Sequence, residues 1–421
     1  MRARSVAVVT LTLGIVLVAA LASGFLGGRS ASSAPTAQRP GGRSRASLPF
    51  LRVTRAISSR LVVPGARPVL SWPAHGQGAV AVLGEGAMAS SPSEQSVPIA
   101  SLTKMMTAYL VLADHPLLPG QSGPTIRITS ADVADYVYDS KNDLSNVAVA
   151  AGEELTERQL LEALLIPSGD NIADLLARWD AGSIPAFVAK MNAEARALGL
   201  DGTHYADASG VDPGSRSTAA DQARLASLLM GSPVVRSIVR LGSLAFPVVG
   251  RIWNYNPALG VDGIVGVKSG FTSEAKGCLV TAAFRDVGGT SVLVVVAALG
   301  QPDGLDGAAR ADEALLSSAS RALVAFPIVG PGARVGVVRP TWSRATAGLR
   351  APEDPAPIVA WPGLALTRSI EVGAKPPASL RVGSTVATLA VAAPLGEVAR
   401  VPLSLTSTLP PAPAGSTAAA G

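Results

Sequence analysis

The order of its hydrophobic patterns is the feature that most restricts the fold of this chain. Runs rich in Val, Ala and Leu indicate strands at 78–83, 277–284 and 291–299. Apolar residues at helical spacing, one group preceded by a capping box at 156–159, indicate helices at 101–113, 160–165, 172–178, 184–198, 219–229 and 312–324. Because helices interrupt the set of strands, the sequence predicts a mixed domain of the α/β (α+β) class that ends near residue 326.

A different pattern begins after Pro327. Short runs rich in Val, Leu and Thr alternate with Pro and Gly, which is typical of a small all-β domain, predicted here at 330–405. The last segment, 406–421, is rich in Pro, Ala, Ser and Thr and has low complexity. We expect it to be a disordered tail.

The amino terminus has the pattern of an export signal. Arg2 and Arg4 precede an apolar stretch, 6–26, that is long enough to span a bilayer. Residues 1–28 are therefore predicted to be a cleaved signal peptide or an uncleaved signal anchor in the membrane; the alternative, a buried core helix, lacks amphipathic surroundings. Residues 29–60 are Ser, Ala, Pro, Gly and Arg without periodicity, and predict a disordered linker.

The positive charge of the chain does not indicate a nucleic-acid partner. The formal net charge is +5, but residues 1–60 hold nine arginines and no acidic residue, so the rest of the chain is mildly acidic. The single cysteine, Cys278, excludes an intrachain disulfide and a multi-cysteine zinc site. The three histidines have no metal-ligand spacing. We expect no metal and no cofactor.

A serine and a lysine at helical spacing are the first candidate for chemistry. Ser101 and Lys104 lie three residues apart at the start of a predicted helix, so the lysine amine reaches the serine hydroxyl. A lysine serves as the base for a serine nucleophile when burial or a neighbouring cation lowers its pKa. The helix amino terminus stabilises a developing oxyanion. The alternative is a helix cap beside a solvated lysine.

The second motif is Lys268-Ser269-Gly270, which is followed by a predicted strand. A cation, a hydroxyl and a residue without a side chain at a strand edge allow a substrate backbone to approach while the lysine faces a carboxylate. The alternative is a solvated lysine at a turn.

The third motif, Ser-Gly-Asp-Asn at 168–171, lies between two predicted helices. As a plain structural feature, Ser168 or Asp170 would cap the second helix. Its position relative to the other two motifs favours a functional role, because it follows Ser101 by 67 residues and precedes Lys268 by 100.

In this order and at this separation, the three motifs resemble S-x-x-K, S-x-N and K-[ST]-G of the serine D-alanyl-D-alanine carboxypeptidases, the low-molecular-mass penicillin-binding proteins. The resemblance covers about 61–326. It implies a serine β-lactamase/transpeptidase-like catalytic domain, in which helices flank an antiparallel sheet beside an all-helical lobe. The segment 330–405 resembles the β-rich domain that some members carry.

The resemblance also implies catalytic roles. Ser101 would be the nucleophile, Lys104 the base that activates it, and Ser168 a proton relay to the leaving amine. The positive charge of Lys268 would help keep Lys104 neutral.

The same resemblance implies substrate-binding roles. Lys268 and Ser269 would hold the terminal carboxylate of the substrate, with Gly270 leaving room beside them. The backbone N–H groups of Ser101 and Phe271 would form the oxyanion hole. Arg310 is a possible further contact to the carboxylate.

One residue departs from the family pattern. Asp170 stands where S-x-N has asparagine, and Asn171 follows it. Since an acid would repel a carboxylate substrate, we expect Asp170 to point away and Asn171 to replace it in substrate binding.

The sequence therefore predicts an extracytoplasmic, cell-envelope serine carboxypeptidase that acts on the peptidoglycan pentapeptide stem and is covalently inhibited by β-lactams. Two alternatives stay open. A β-lactamase or esterase would share the serine and lysine, although the chain lacks the E-x-x-L-N stretch of a class A enzyme. A catalytically weak peptidoglycan-binding protein would follow if Asp170 damages the site.

Overall fold

A computed structural model describes residues 51–413 except 86, 374–378 and 394–395. The predicted signal segment 1–28, residues 29–50 of the predicted linker and residues 414–421 of the predicted tail lie outside the described residues. Within the described part, no helix has both the length and the apolar character needed to cross a membrane.

The described residues contain eight α-helices and two short 3₁₀ helices. The α-helices are α1 (Lys104–Asp114), α2 (Ser130–Lys141), α3 (Glu157–Leu165), α4 (Asp170–Ala181), α5 (Ile184–Ala197), α6 (Ala219–Leu229), α7 (Pro233–Val239) and α8 (Gly304–Ala322), and the 3₁₀ helices are η1 (Ala100–Thr103) and η2 (Val261–Gly263). The predicted capping box is present at the start of α3, where Thr156 and Gln159 bond reciprocally. The helix predicted at 312–324 begins earlier, at Gly304, and α2 and α7 were not predicted.

The strands of the described residues fall into two larger sheets and four strand pairs. They are β1 (Leu51–Arg55), β2 (Arg60–Val62), β3 (Gln77–Val82), β4 (Ala87–Ser90), β5 (Val97–Pro98), β6 (Thr125–Arg127), β7 (Glu154–Thr156), β8 (Arg216–Ser217), β9 (Ser243–Phe246), β10 (Gly250–Trp253), β11 (Ile264–Thr272), β12 (Lys276–Val287), β13 (Thr290–Gln301), β14 (Val324–Phe326), β15 (Arg334–Pro340), β16 (Ala347–Arg350), β17 (Ile358–Ala360), β18 (Ala365–Val372), β19 (Thr385–Ala393) and β20 (Gly396–Leu405).

A five-stranded antiparallel sheet in the order β11-β12-β13-β3-β4 is the centre of the first domain. Side chains alternate between its two faces, as strand geometry requires. In β3, Ala79 and Ala81 belong to the core shared with α1 and α6, whereas Val80 and Val82 belong to the core shared with α8. Both faces are therefore covered by helices, as expected.

Helix α1 lies in the middle of the helical lobe and packs against α3, α4, α5 and α6. Its residues 104–108 are all buried. A helix segment that is buried on all sides must be largely apolar, as Met105, Met106 and Ala108 are. The buried hydroxyl of Thr107 donates to the carbonyl O of Ala208. The same packing removes the Lys104 side chain from solvent.

The second domain corrects the predicted boundaries. Its seven-stranded sheet has the order β1-β15-β16-β20-β19-β18-β2, so two strands from residues 51–62 join strands from the carboxyl-terminal region. Two expectations are therefore wrong for residues 51–62. We expected the whole of 29–60 to be disordered, and we expected the catalytic domain to begin at 61. Strands of five and three residues are too short to give a periodic signal, and their partners lie far away in the chain.

The start of the predicted tail is also ordered. The backbone N–H of Thr406 donates to Gly348, and Leu409 is buried with its N–H bonded to Leu380. The prediction of disorder is wrong for residues 406–413, because this segment completes the core of the β domain despite its low complexity.

Candidate active site

The amino end of α1 brings the first motif together. Ser101 lies in the 3₁₀ turn η1, and Lys104 is the first residue of α1. Because residues three apart are eclipsed in a 3₁₀ helix, Lys104 Nζ donates to Ser101 Oγ at 2.9 Å. The Lys104 side chain is fully buried, whereas Ser101 is partly exposed. The alternative of a helix cap beside a solvated lysine is therefore wrong, because the fold buries Lys104.

The second and third motifs meet across the site. Ser168 lies in the loop between α3 and α4 with a left-handed backbone at φ 66°. Its hydroxyl accepts a hydrogen bond from Lys268 Nζ at 2.8 Å. Both side chains are buried. A residue with a branched or bulky side chain would be strained in this conformation, so a small polar residue suits the position.

Strand β11 runs close along the start of α1. A Cβ atom on Gly270 would lie 2.9 Å from the backbone N of Ser101 and 3.1 Å from the carbonyl O of Ile99. Only glycine therefore allows the strand and the helix start to approach this closely. Ser269 beside it is buried, and Phe271 beyond it is exposed.

Asp170 occupies the interior of the site. Its Oδ1 accepts a hydrogen bond from Lys104 Nζ at 2.5 Å, and the residue is 5% exposed. The expectation that Asp170 points away is wrong. It fails because Asp170 begins α4, and the start of this helix packs against α1 with the carboxylate directed at the lysine.

Asn171 does not take the place of the missing asparagine. Its Oδ1 accepts from the N–H of Val147 at 3.0 Å, and its Nδ2 donates to the carbonyl of Val147 at 2.9 Å. Both polar atoms of this buried amide are used to hold a neighbouring loop. This placement corrects the expectation that Asn171 binds substrate.

A third contact to Lys104 was missed in the sequence. Lys104 Nζ donates to the carbonyl O of Ser209 at 2.8 Å. Asp207 orders this loop by accepting from Ser209 Oγ at 3.0 Å and from the N–H of Gly210 at 2.9 Å. A backbone carbonyl leaves no residue-type signature, so the sequence motifs could not indicate this contact.

The charges of the two lysines differ from expectation. Burial lowers the pKa of Lys268 well below that of a free lysine, and the positive charge of Lys104 lowers it further against the effect of Asp170. Burial raises the pKa of Asp170, while Lys104 opposes that rise. Burial therefore disfavours the positive charge that was expected at Lys268.

Arg310 does not join these residues. It donates to Asp303 at 2.8 Å, and both side chains are largely exposed. The pair lines a separate cleft with Trp72 and His75. The described structure thus brings together Ser101, Lys104, Ser168, Asp170 and Lys268, without Arg310.

Comparison with known proteins identifies the family of this chain. Residues 84–300 match the family described as D-alanyl-D-alanine carboxypeptidase, and the three motifs and the Ser209 loop lie within them. The chain belongs to this family. The carboxypeptidase match confirms the predicted family, in which catalysis proceeds through a serine acyl-enzyme.

The relatives and solved structures that match this chain cover part of its length. The chain is 35% identical to a D-alanyl-D-alanine carboxypeptidase of Streptomyces sp. (strain K15), over 47% of this chain and 71% of the relative. It is 34% identical to one of Mycobacterium tuberculosis, over 47% and 66%. The crystal structure of the Streptomyces K15 DD-transpeptidase matches with a TM-score of 0.52 and 28% identity, covering 60% of this chain and 98% of that one. This likeness confirms the predicted fold class.

Proposed function

We propose that this carboxypeptidase hydrolyses the terminal D-Ala–D-Ala bond of peptidoglycan stem peptides through an acyl-enzyme on Ser101. The observation that carries the proposal is the contact of the partly exposed Ser101 hydroxyl with the buried Lys104 amine, opposite a second pair formed by Lys268 and Ser168. One pair activates a nucleophile and the other faces the leaving group, which an acyl transfer needs.

Acylation uses the first pair and then the second. Ser101 Oγ attacks the carbonyl carbon of the penultimate D-alanine as its proton passes to the neutral Lys104 amine. The backbone N–H groups of Ser101 and Phe271 bind the oxyanion. The C–N bond then breaks, and Ser168 relays the proton held by Lys104 to the departing D-alanine amine, which leaves Lys104 neutral again. Water hydrolyses the resulting ester and regenerates Ser101.

Substrate binding uses strand β11. The terminal carboxylate of the stem peptide binds at Lys268 and Ser269, and an arriving anion favours the charged form of Lys268. Gly270 keeps the strand close enough to the start of α1 for the carboxylate and the scissile carbonyl to be held together. β-Lactams, which present a carboxylate and a strained amide, acylate Ser101 in the same position.

The enzyme acts outside the cytoplasm, on the cell wall. We attribute export to residues 1–28, and we propose that this segment holds the protein at the membrane unless it is cleaved. Two arginines before a long apolar stretch support this role, because that order suits the cytoplasmic flank of a membrane segment.

The test is release of D-alanine from a diacetylated tripeptide that ends in D-Ala-D-Ala, together with mass spectrometry of the penicillin adduct. We expect release by the wild type and an adduct on Ser101. Ser101→Ala should abolish both, whereas Ser183→Ala, which changes the serine capping α5, should change neither. Absence of both activities in a folded wild-type protein would contradict the proposal.

A second candidate function follows from the Lys104–Asp170 contact, which opposes deprotonation of the base. In that case the protein binds peptidoglycan with little catalysis, and the wild type would bind wall material without releasing D-alanine. Rapid turnover of penicillin instead of a lasting adduct would favour a β-lactamase.

A further inference from the structure

The amine of Lys104 has a complete set of hydrogen-bond acceptors. Its Nζ donates to Ser101 Oγ at 2.9 Å, to Ser209 O at 2.8 Å and to Asp170 Oδ1 at 2.5 Å. A charged ammonium has three N–H donors, whereas a neutral amine has two and needs a donor opposite its lone pair. The Ser209 carbonyl only accepts, and Asp170 only accepts when it is ionised. With Asp170 ionised, the arrangement matches the ammonium form of Lys104.

The carboxylate of Asp170 and the amine of Lys104 lie where water does not screen their charges. The side chains of Lys104 and Asp170 are 0% and 7% exposed. Removing water from an ion pair strengthens the attraction between its charges, so the carboxylate stabilises the proton on the lysine. An asparagine at position 170 would accept the same hydrogen bond without the negative charge.

Other titratable groups face this pair from three sides. Lys268 on β11 lowers the pKa of Asp170, and Asp207 in the Ser209 loop raises it. Asp139 on α2 has a pKa raised to about 6, by burial first and then by the charge of Asp170. Lys268 loses its proton more easily than a free lysine. Of the two lysines in the site, Lys104 is the one that contacts Asp170 directly.

We propose that Asp170 is a positioning residue that keeps Lys104 protonated in the free enzyme, so that Ser101 becomes reactive only as Lys104 loses its proton with rising pH. The inference rests on the proposed function, since it concerns the base of that reaction. It makes acylation by this chain more alkaline in its pH dependence than acylation by a site with asparagine at this position.

The effect of the charge has a definite sign. Asp170→Asn removes a negative charge beside the ammonium, so the neutral amine forms at lower pH. An opposite charge at such a distance shifts a pKa by about 1 to 3 units. The rising limb of the pH profile should move to lower pH by that amount.

The experiment measures the second-order rate of acylation of the full-length protein by a fluorescent penicillin from pH 5 to pH 10. In Asp170→Asn we expect the midpoint of the rising limb at least about 1 unit lower than in the wild type, and acylation at pH 7 at least about tenfold faster. Asp286→Asn is the control: it removes an exposed carboxylate near the end of β12, and asparagine can still accept from the N–H of Gly289. Its midpoint should stay at the wild-type value.

Coincident midpoints for the wild type and Asp170→Asn, or a shift to higher pH, would overturn the inference. Asp170→Glu adds a second arm, because it keeps the charge and should keep the alkaline midpoint even where the rate falls.

A direct measurement needs neither a folded Asp170 variant nor activity. In the wild-type protein with ¹³C-labelled lysine, the Lys104 Cε signal, assigned by its loss in Lys104→Arg, should have the chemical shift of a charged amine at pH 7. A neutral shift there would overturn the inference. This titration does not depend on acylation, so it can contradict the inference without contradicting the proposed function. The proposed function fails only if no Ser101 adduct forms at any pH.

Discussion

The two ends of helix α1 carry the same kind of ion pair in opposite surroundings. At the first residue, Lys104 binds Asp170, and these side chains are 0% and 7% exposed. At the last residue, Asp114 binds Lys190, and these side chains are 48% and 29% exposed. Water and salt screen the second pair but not the first. Burial, rather than the identity of the two residues, is therefore the difference between the two pairs.

The neighbours of the two pairs differ accordingly. Around Lys104 lie the Ser101 hydroxyl and a second buried lysine, Lys268, so a proton there affects chemistry. Around Asp114 lie Asp180, which also bonds Lys190, and His115, whose ring stacks on Trp179. These contacts join α1 to α4 and α5 and have no reacting group among them. We infer that the amino end of α1 is catalytic and the carboxyl end structural.

The largest expected effect is at the amino end. Gly270→Ala places a methyl group 2.9 Å from the backbone N of Ser101 and 3.2 Å from Cβ of Ala100, so β11 must move away from the helix start. Displacing an N–H of an oxyanion hole costs on the order of 100-fold or more in rate. We expect at least about 100-fold slower acylation by penicillin, measured by stopped labelling at pH 8.

The matched control is Gly242→Ala, because a Cβ there has nothing within 4 Å and the backbone is not left-handed. Its acylation rate should equal that of the wild type. An unchanged rate in Gly270→Ala would show that the approach of β11 to α1 does not set the catalytic geometry, and the distinction between the two ends of α1 would lose its main support.

An intermediate effect is expected at the carboxyl end, on stability instead of acylation. Glu157 lines the same cleft as Asp114 and His115, and neither of its buried carboxylate oxygens has a partner. Burial raises its pKa from 4.5 to about 7. Because the folded state holds this proton more tightly than the unfolded state, the free energy of unfolding falls as pH rises from 4.5 toward 7.

Glu157→Gln removes the charge and therefore this loss. We expect the variant to exceed the wild type in free energy of unfolding by about 1 to 3 kcal/mol at pH 8, and by much less at pH 5. Urea unfolding at both pH values measures it, with the exposed Glu154→Gln as control. An equal difference at the two pH values would contradict a buried charge at this position.

Residue type and order were enough to predict which residues meet in the site but not the charged contacts between them. Ser101, Lys104, Ser168 and Lys268 stand in motifs whose spacing is visible in the chain. The contact of Asp170 with Lys104 joins residues 66 positions apart and depends on which side of α4 faces α1. Helical periodicity assigns a residue to a face, but not to a partner across the core.

The limits of the fold prediction have a similar cause. Long strands such as β12 and β13 can be predicted because they contain continuous apolar runs. Strand β1 has five residues and pairs with β15. Leu51 therefore lies opposite Pro340, which is distant in the chain. Local sequence cannot indicate such a pairing, and the loop of Ser209 was missed in the same way because it contributes a backbone oxygen.

The smallest expected effect is also the sharpest test of burial. Asp114→Asn makes at the far end of α1 the same substitution that we propose to alter the chemistry at Asp170. The helix has 11 residues, so its ends lie about 16 Å apart, beyond the screening length of about 10 Å at 0.1 M salt. We expect a change of less than about 1 kcal/mol in the free energy of unfolding and an unchanged pH midpoint of acylation. Asp114→Asn could instead move that midpoint as far as Asp170→Asn does. The protonation of Lys104 would then depend on the total charge around α1. Direct contact in a buried site would not explain the difference between the two aspartates.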